Sequence, residues 1–214
     1  MNKKMVFRTA GRIAQIISIF LLIPAVVAVI YSEIKQLFAF CVTALCAFLV
    51  GLAIVKFTKT KNRVIYAKDG FAITALAWII MAVVGAVPFV ITGEIPSYVD
   101  AIFETVSGFT TTGASILTDV ESMSKSMLFW RSFTHWIGGM GVLVFLLAII
   151  PLSGGSHINL MRAESPGPSV GKLVPKIRYT ARLLYIIYIV LTLIELVLLL
   201  IGRMPLLDAI CTSF

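Results

Sequence analysis

Charged residues are scarce in this sequence: Asp, Glu, Lys and Arg make up only 13% of its 214 residues. Soluble domains of this length carry about a quarter. Hydrophobic residues reach 59%, and the mean hydropathy is +1.02. An apolar excess arranged in long runs excludes an ordinary water-soluble domain and indicates an integral membrane protein.

Residues that carry metal or redox chemistry are also few, with three Cys and two His in the whole chain. Cys41 and Cys46 lie in one apolar run, and His135 and His157 are far apart, so no disulfide framework or metal site is indicated. The apolar runs contain no HExxH motif, no Ser/Lys arrangement and no paired aspartates. We therefore predict that the protein is not an enzyme and binds no cofactor.

Five apolar runs are long enough to cross a membrane, since about 20 helical residues span the hydrocarbon core. The first has a basic start but no small-residue cleavage site, so we expect it to be a retained helix rather than a signal peptide. The predicted spans are Ile13–Tyr31, Leu37–Val55, Phe71–Ile91, Met127–Ile150 and Leu183–Ile201.

Basic residues concentrate in alternate connections, as expected for segments on the cytoplasmic side of a membrane. Most of them lie before the first span, in the second connection or in the fourth. The connection after the third span instead carries five acids and one Lys. This pattern predicts a cytoplasmic N-terminus and an external third connection. The basic residues are Lys3, Lys4, Arg8 and Arg12, then Lys56, Lys59, Lys61, Arg63 and Lys68, then Arg162, Lys172, Lys176, Arg178 and Arg182.

The segment Pro96–Ser126 is neither long nor apolar enough to cross. Its first part, Tyr98–Val106, has apolar residues at helical spacing and Asp100 near its start, which predicts a short helix. A loop rich in Ser, Gly and Thr follows, and then a polar return. A helix, a polar loop and a polar return between two spans predict a re-entrant pore loop.

The Thr-Thr-Gly core of this loop, Thr111–Gly113, has the composition that an alkali-cation filter needs. It offers closely spaced carbonyl oxygens, threonine hydroxyls and a glycine free to adopt unusual dihedrals. We interpret it as a potassium-selectivity segment. The alternative is a Gly/Ser/Thr loop that is merely packed between helices.

Arg131 is predicted to enter the membrane near the outer end of the fourth span, where an unpaired cation is costly. It could brace the pore helix through Glu104 or extend to the outer headgroups. From the sequence alone we slightly favour the headgroups.

An internal repeat indicates that more repeats are needed to complete a pore. Gly-x-(Ile/Met)-Pro followed by Asp-Ala-Ile occurs at Gly93–Ile102 and again at Gly202–Ile210, each time after an apolar span. By this repeat, a second pore helix is expected to begin at Cys211. One loop cannot encircle an ion, because a filter needs carbonyls from several loops. We expect the chain to be the first part of a larger transporter or a truncated product of one.

The motifs together resemble the Trk/Ktr/HKT superfamily of potassium transporters, and most closely its TrkH-like membrane subunits. The resemblance covers most of the chain after Phe71 and rests on Phe103–Ala114, Phe129–Ser132, Trp136–Gly141, Ala163–Pro168 and Ala209–Phe214.

The resemblance implies an all-α integral membrane fold in which four helix–pore-loop–helix repeats form a pseudo-fourfold pore. This chain would contain an N-terminal helix pair with a basic cytoplasmic loop (1–70), the first pore repeat (71–151), a cytoplasmic connection (152–182), and the first helix and start of the pore helix of a second repeat (183–214). The filter strand would be Thr110, Thr111, Thr112, Gly113 and Ala114. The backbone carbonyls of Thr111–Gly113 would bind potassium as substrate.

The resemblance also implies location in a bacterial cytoplasmic (inner) membrane, contact with lipid, a homodimer and a cytosolic nucleotide-binding regulatory subunit (TrkA-like). It implies no nucleic-acid partner. The alternatives are a truncated non-conducting fragment and an assembly or scaffold protein. An intramembrane enzyme ranks last.

Overall fold

The computed structural model describes residues 2–58, 67–139, 141 and 174–214, and every regular element among them is a helix. Within these residues, four segments are long and apolar enough to cross a membrane, namely Lys3–Ile30, Ile34–Phe57, Lys68–Thr92 and Arg182–Ile201. The helices are α1 (Lys3–Phe20), α2 (Leu22–Ile30), α3 (Ile34–Phe57), α4 (Ala67–Thr92), α5 (Tyr98–Phe109), α6 (Lys125–Gly139), α7 (Val174–Ile201) and α8 (Leu206–Ser213).

Four of the five predicted spans are thus confirmed as helical segments able to cross. The predicted fourth span, Met127–Ile150, begins within α6, but 140 and 142–150 lie outside the described residues. The same holds for most of the two predicted basic connections and for the motif Ala163–Pro168.

The first predicted span was wrong in one respect: it is two helices that meet at Leu21 instead of one continuous helix. Pro24 lies in the first turn of α2 and has no N–H for the carbonyl four residues earlier, Phe20. The next bond along, from Ala25 N to Leu21 O, is stretched to 3.4 Å. The ladder is therefore interrupted where α1 ends.

The second short helix also differs from its prediction, since α8 begins at Leu206 and not at Cys211. It starts after Pro205 and carries Asp208 in its first turn, where an acid is favourable at the positive end of the helix dipole. Its start is two residues before the Asp-Ala-Ile motif, as is that of α5. The internal repeat therefore extends to the helix boundary.

Helix α1 packs against α3 and α4, and α5 lies between α4 and α6. The crossing of α1 and α3 depends on two glycines. A β-carbon on Gly11 would lie 2.9 Å from Gly51 O, and one on Gly51 would lie 2.6 Å from Gly11 O. Small residues that permit this approach are typical of helix contacts in membranes.

In α4, carbonyls about one turn before Pro88 accept hydrogen bonds from side chains of neighbouring helices. Pro88 has no N–H for the carbonyl of Val84. The carbonyls on either side of Val84 accept from the side chains of Thr105, Tyr98 and Trp130. The three bonds are Thr105 Oγ1 to Ala82 O at 3.0 Å, Tyr98 Oη to Val83 O at 2.8 Å and Trp130 Nε1 to Gly85 O at 3.0 Å. Side chains of α5 and α6 therefore fix these helices to one segment of α4.

Trp130 is the centre of the packing between these helices and is fully buried. Its ring lies edge-on to Phe40 of α3 and Phe109 of α5, with centroids 6.3 Å apart in each case. Further along α6, Phe133 and Trp136 contact Phe214, just beyond α8. Helix α6 thus joins the N-terminal helices, the first short helix and the second.

Candidate functional site

The short helix α5 is defined at its start by a side-chain cap. The hydroxyl of Ser97 accepts from the backbone N–H of Asp100 at 3.4 Å, and Asp100 itself lies in the first turn. Both features stabilise a helix N-terminus. The predicted helix over Tyr98–Val106 is confirmed and extends one turn further, to Phe109.

Helix α5 ends in a Schellman motif formed by three threonines. The N–H of Thr111 bonds to Gly108 O, and the N–H of Thr112 bonds to Ser107 O, each at 2.9 Å. These are the two bonds that define the motif, with Thr110 as the C-cap. The chain therefore turns sharply away from the helix axis at Thr111.

Thr111 has φ of +55° at the position where this motif usually has glycine. For a β-branched residue this conformation is a true outlier, and it costs about 1–2 kcal/mol. Gly113, two residues later, has φ of +75°. A β-carbon there would meet no atom within 4 Å, so the backbone conformation is what requires glycine.

The carbonyl oxygens of Thr111, Thr112 and Gly113 accept no hydrogen bond from the described part of the chain. All three residues are exposed. Their oxygens are therefore free for a ligand or for water.

Two side chains of α5, Ser107 and Glu104, hold the segment that follows this loop. Ser107 Oγ donates to Ala114 O at 2.5 Å. The Glu104 carboxylate accepts from Ser115 Oγ at 3.0 and 3.1 Å and from Ile116 N at 3.2 Å. The loop is thus attached at both ends to the helix that precedes it.

Glu104 also pairs with Arg131 of α6, whose Nε lies 2.6 Å from Glu104 Oε1. The side chain of Glu104 is 1% exposed and that of Arg131 15%. The headgroup interpretation of Arg131 was therefore wrong, because its guanidinium is held by a buried carboxylate. The pairing agrees with the alternative, and the bracing role itself remains a prediction.

The C-terminal turn of α5 lies directly against α6. A β-carbon on Gly138 would lie 2.0 Å from Phe109 O, and one on Gly108 would lie 2.0 Å from Thr134 Oγ1. Two glycines, one on each helix, thus place the start of the loop against α6.

Sequence reasoning missed Ser107 and Ser115, which hold the loop, and the left-handed Thr111. Two hydroxyls at this spacing around a Thr/Gly loop carry no recognisable signal. The positive φ of Thr111 could not be expected from the sequence, because threonine rarely adopts it. No group of three His, Cys, Asp or Glu that could hold a metal ion occurs among the described residues.

Apolar helices long enough to cross a bilayer, with a capped short helix and a loop of free carbonyls between α4 and α6, define a helical membrane protein. Residues 35–214 match the sequence model of the TrkH family, described as a cation transport protein, so the chain belongs to that family.

Individual relatives agree with this assignment. The chain is 38% identical to the Trk system potassium uptake protein TrkG of Escherichia coli, over 97% of this chain and 43% of that protein. It is 36% identical to TrkH of Salmonella typhimurium, over 100% of this chain and 44% of that protein. The chain therefore spans less than half the length of these relatives.

The solved structure of the potassium transporter TrkH from Vibrio parahaemolyticus is similar over the whole chain. The TM-score is 0.82 at 30% identity, and the match covers 42% of that structure. The all-helical membrane fold is thereby confirmed.

Proposed function

We propose that residues Thr110–Ala114 form one strand of a potassium-selective filter and that this chain is the N-terminal part of a potassium uptake protein. The proposal rests mainly on one observation: the consecutive carbonyls of Thr111–Gly113 are free, in a loop that is fixed at both ends. Potassium filters replace the hydration shell of the ion with such carbonyls. The relatives are potassium uptake proteins by name.

The depth of the loop supports a re-entrant arrangement. Thr105, near the end of α5, contacts Ala82 of α4. Ala82 lies ten residues before the last residue of α4, Thr92, which is about 15 Å along the helix. Helix α5 thus runs back alongside α4. The loop after α5 therefore lies closer to the middle of α4 than to its C-terminal end.

A single loop cannot surround an ion, so other strands must come from elsewhere in the protein. The repeated Asp-Ala-Ile motif at the starts of α5 and α8 supports a second equivalent unit. We propose four strands in all, with this chain divided as 1–70, 71–151, 152–182 and 183–214. Helix α6 would be the second helix of the first repeat.

The Glu104–Arg131 pair would act as a brace. Glu104 joins three parts of the site: α5, on which it lies, the segment Ser115–Ile116 and α6. Breaking a buried ion pair by removing one partner is costly, because the other charge is left uncompensated. The brace would therefore keep the loop in one geometry.

The remaining assignments are proposals of the same kind. The N-terminus would be cytoplasmic, in the inner membrane of a bacterium, in a multi-pass protein surrounded by lipid. A homodimer with a cytosolic TrkA-like regulatory subunit would be the working assembly. A non-conducting fragment or scaffold is the alternative.

The test is transport by the complete protein in cells that lack potassium uptake. Growth in low-potassium medium is expected, and absence of rescue by an expressed, membrane-inserted protein would refute the transport proposal. A continuous reading frame with further glycine-containing pore loops would favour the transporter over a scaffold.

Replacement of Gly113 by Ser tests the filter assignment. We expect a lower potassium-over-sodium permeability ratio, since a side chain restricts the φ of +75°. The matched control is Gly141→Ser, because Gly141 also has a positive φ, +67°, but lies beyond the C-terminus of α6. An unchanged ratio in Gly113→Ser, or an equal loss in both variants, would argue against the filter.

A further inference from the structure

The N-terminus of α6 is held by two glutamates from distant parts of the chain. The first N–H groups of any helix lack partners within the helix. Here the Glu33 carboxylate accepts from Lys125 N at 2.7 Å, from Ser126 N at 3.0 Å and from the Ser126 hydroxyl. Glu33 is more than 90 residues away, so the cap comes from the N-terminal helix pair.

The second glutamate, Glu94, belongs to the α4–α5 connection. Its carboxylate accepts from Ser124 N at 3.2 Å and from Ser124 Oγ at 2.6 Å. Gln36, in the first turn of α3, donates to the same carboxylate at 3.1 Å. Since the Ser124 hydroxyl donates to Glu94, α6 relies on remote carboxylates at its start.

The position of Glu33 is itself fixed by the backbone. Helix α2 ends in a Schellman motif in which Ser32 N bonds to Val29 O and Glu33 N bonds to Ala28 O. Ser32 has φ of +58°. The turn before α3 therefore orients Glu33, and the carboxylate is not on a freely moving loop.

The contacts of Glu33 and Glu94 with Ser124–Ser126 form a clamp on the start of α6. Helix α6 connects this clamp to the loop of free carbonyls. Arg131 lies six residues after Lys125, about 9 Å along the helix, and pairs with Glu104. Glu104 in turn binds Ser115 and Ile116, which directly follow the loop. Any axial shift of α6 would therefore move Arg131 and strain these contacts.

We propose that Glu33 and Glu94 are positioning residues of the filter, acting through the axial position of α6. This inference rests on the proposed filter function. It assigns a role to the N-terminal helix pair, which lies outside the pore repeat and contributes no filter strand. The pair and the α4–α5 connection together set where α6 begins.

The test uses the complete protein with Glu33→Ala and Glu33→Gln, assayed for the potassium-over-sodium permeability ratio in vesicles. We expect Glu33→Ala, which removes the acceptor of the three hydrogen bonds from Lys125 and Ser126, to lower the ratio by about tenfold, which corresponds to about 1.4 kcal/mol. Glu33→Gln keeps an acceptor oxygen and is expected to recover part of the loss. The control is Glu121→Gln, which removes the same charge from an exposed position.

A second measurement does not depend on conduction. Amide hydrogen exchange of 110–116 is expected to accelerate in Glu33→Ala, and further in Glu33→Ala with Glu94→Ala, while Glu121→Gln stays at the wild-type rate. An unchanged exchange rate in the double variant, or an unchanged ratio in Glu33→Ala, would overturn the inference. A wild-type protein that carries no potassium would instead refute the proposed function, and the exchange rates would still decide the role of the clamp.

Discussion

Replacing Gly138 with Ala should separate α5 from α6 at the start of the proposed filter loop, Thr110–Ala114. The added β-carbon would lie 2.0 Å from Phe109 O and 2.6 Å from Phe109 C. These are backbone atoms, so no side-chain rotation can relieve the clash. Ordinary van der Waals contact begins at 3.4 Å. The end of α5 therefore has to move by about 1.4 Å, the difference between 3.4 Å and the 2.0 Å to Phe109 O.

Two opposing terms set the expected stability. Alanine favours the helix over glycine by about 1 kcal/mol, whereas overpacking a tight contact costs about 1–3 kcal/mol, occasionally more. A clash with backbone belongs to the upper part of that range. We therefore expect a net loss of about 1–2 kcal/mol in Gly138→Ala, together with a lower permeability ratio, because Phe109 directly precedes Thr110.

The neighbouring residue provides the control. A β-carbon on Gly139 would lie 2.5 Å from the hydroxyl of Tyr188, which is the far end of a side chain, although that hydroxyl donates to Trp136 O at 3.1 Å. Thermal unfolding and the permeability ratio of the complete protein should thus change less in Gly139→Ala than in Gly138→Ala. Equal stability and equal selectivity in Gly138→Ala and Gly139→Ala would refute the close-approach argument.

Two further predictions concern the buried polar contacts. Glu104→Gln leaves Arg131 without a carboxylate and should destabilise the protein by about 3 kcal/mol. The double variant Glu104→Gln with Arg131→Gln should recover part of this loss. Thermal unfolding measures the stability of each variant, and strictly additive effects of the two substitutions would contradict an ion pair between these residues. Trp130→Phe leaves Gly85 O without its 3.0 Å donor and should cost about 1–3 kcal/mol. Trp136→Phe, whose indole bonds the half-buried Thr192 hydroxyl, should cost less, and the reverse order would contradict the assigned role of Trp130.

Sequence patterns predicted the features that depend on local composition. Long apolar runs gave the four helices that can cross, and apolar spacing with an acid near the start gave α5. Small residues in apolar helices commonly permit close helix contacts, and Gly138 makes such a contact with Phe109.

Features that depend on long-range contacts could not be predicted. Nothing in the sequence around Glu33 and Glu94 identifies the start of α6 as their partner. The break at Leu21 was predictable from Pro24 but was overlooked within a strongly apolar run. Arg131 was misjudged because its pairing with Glu104 depends on how α5 and α6 pack.

The left-handed backbone of Thr111 has a consequence for how the protein loses its structure. A threonine held at φ of +55° has a lower-energy geometry available as soon as its restraints are released. Those restraints are the two backbone bonds of the Schellman motif and a few hydroxyl and carboxylate contacts, whereas the surrounding helices are held by extensive apolar packing. On warming, the proposed ion path is thus expected to lose its shape at a lower temperature than the helices around it.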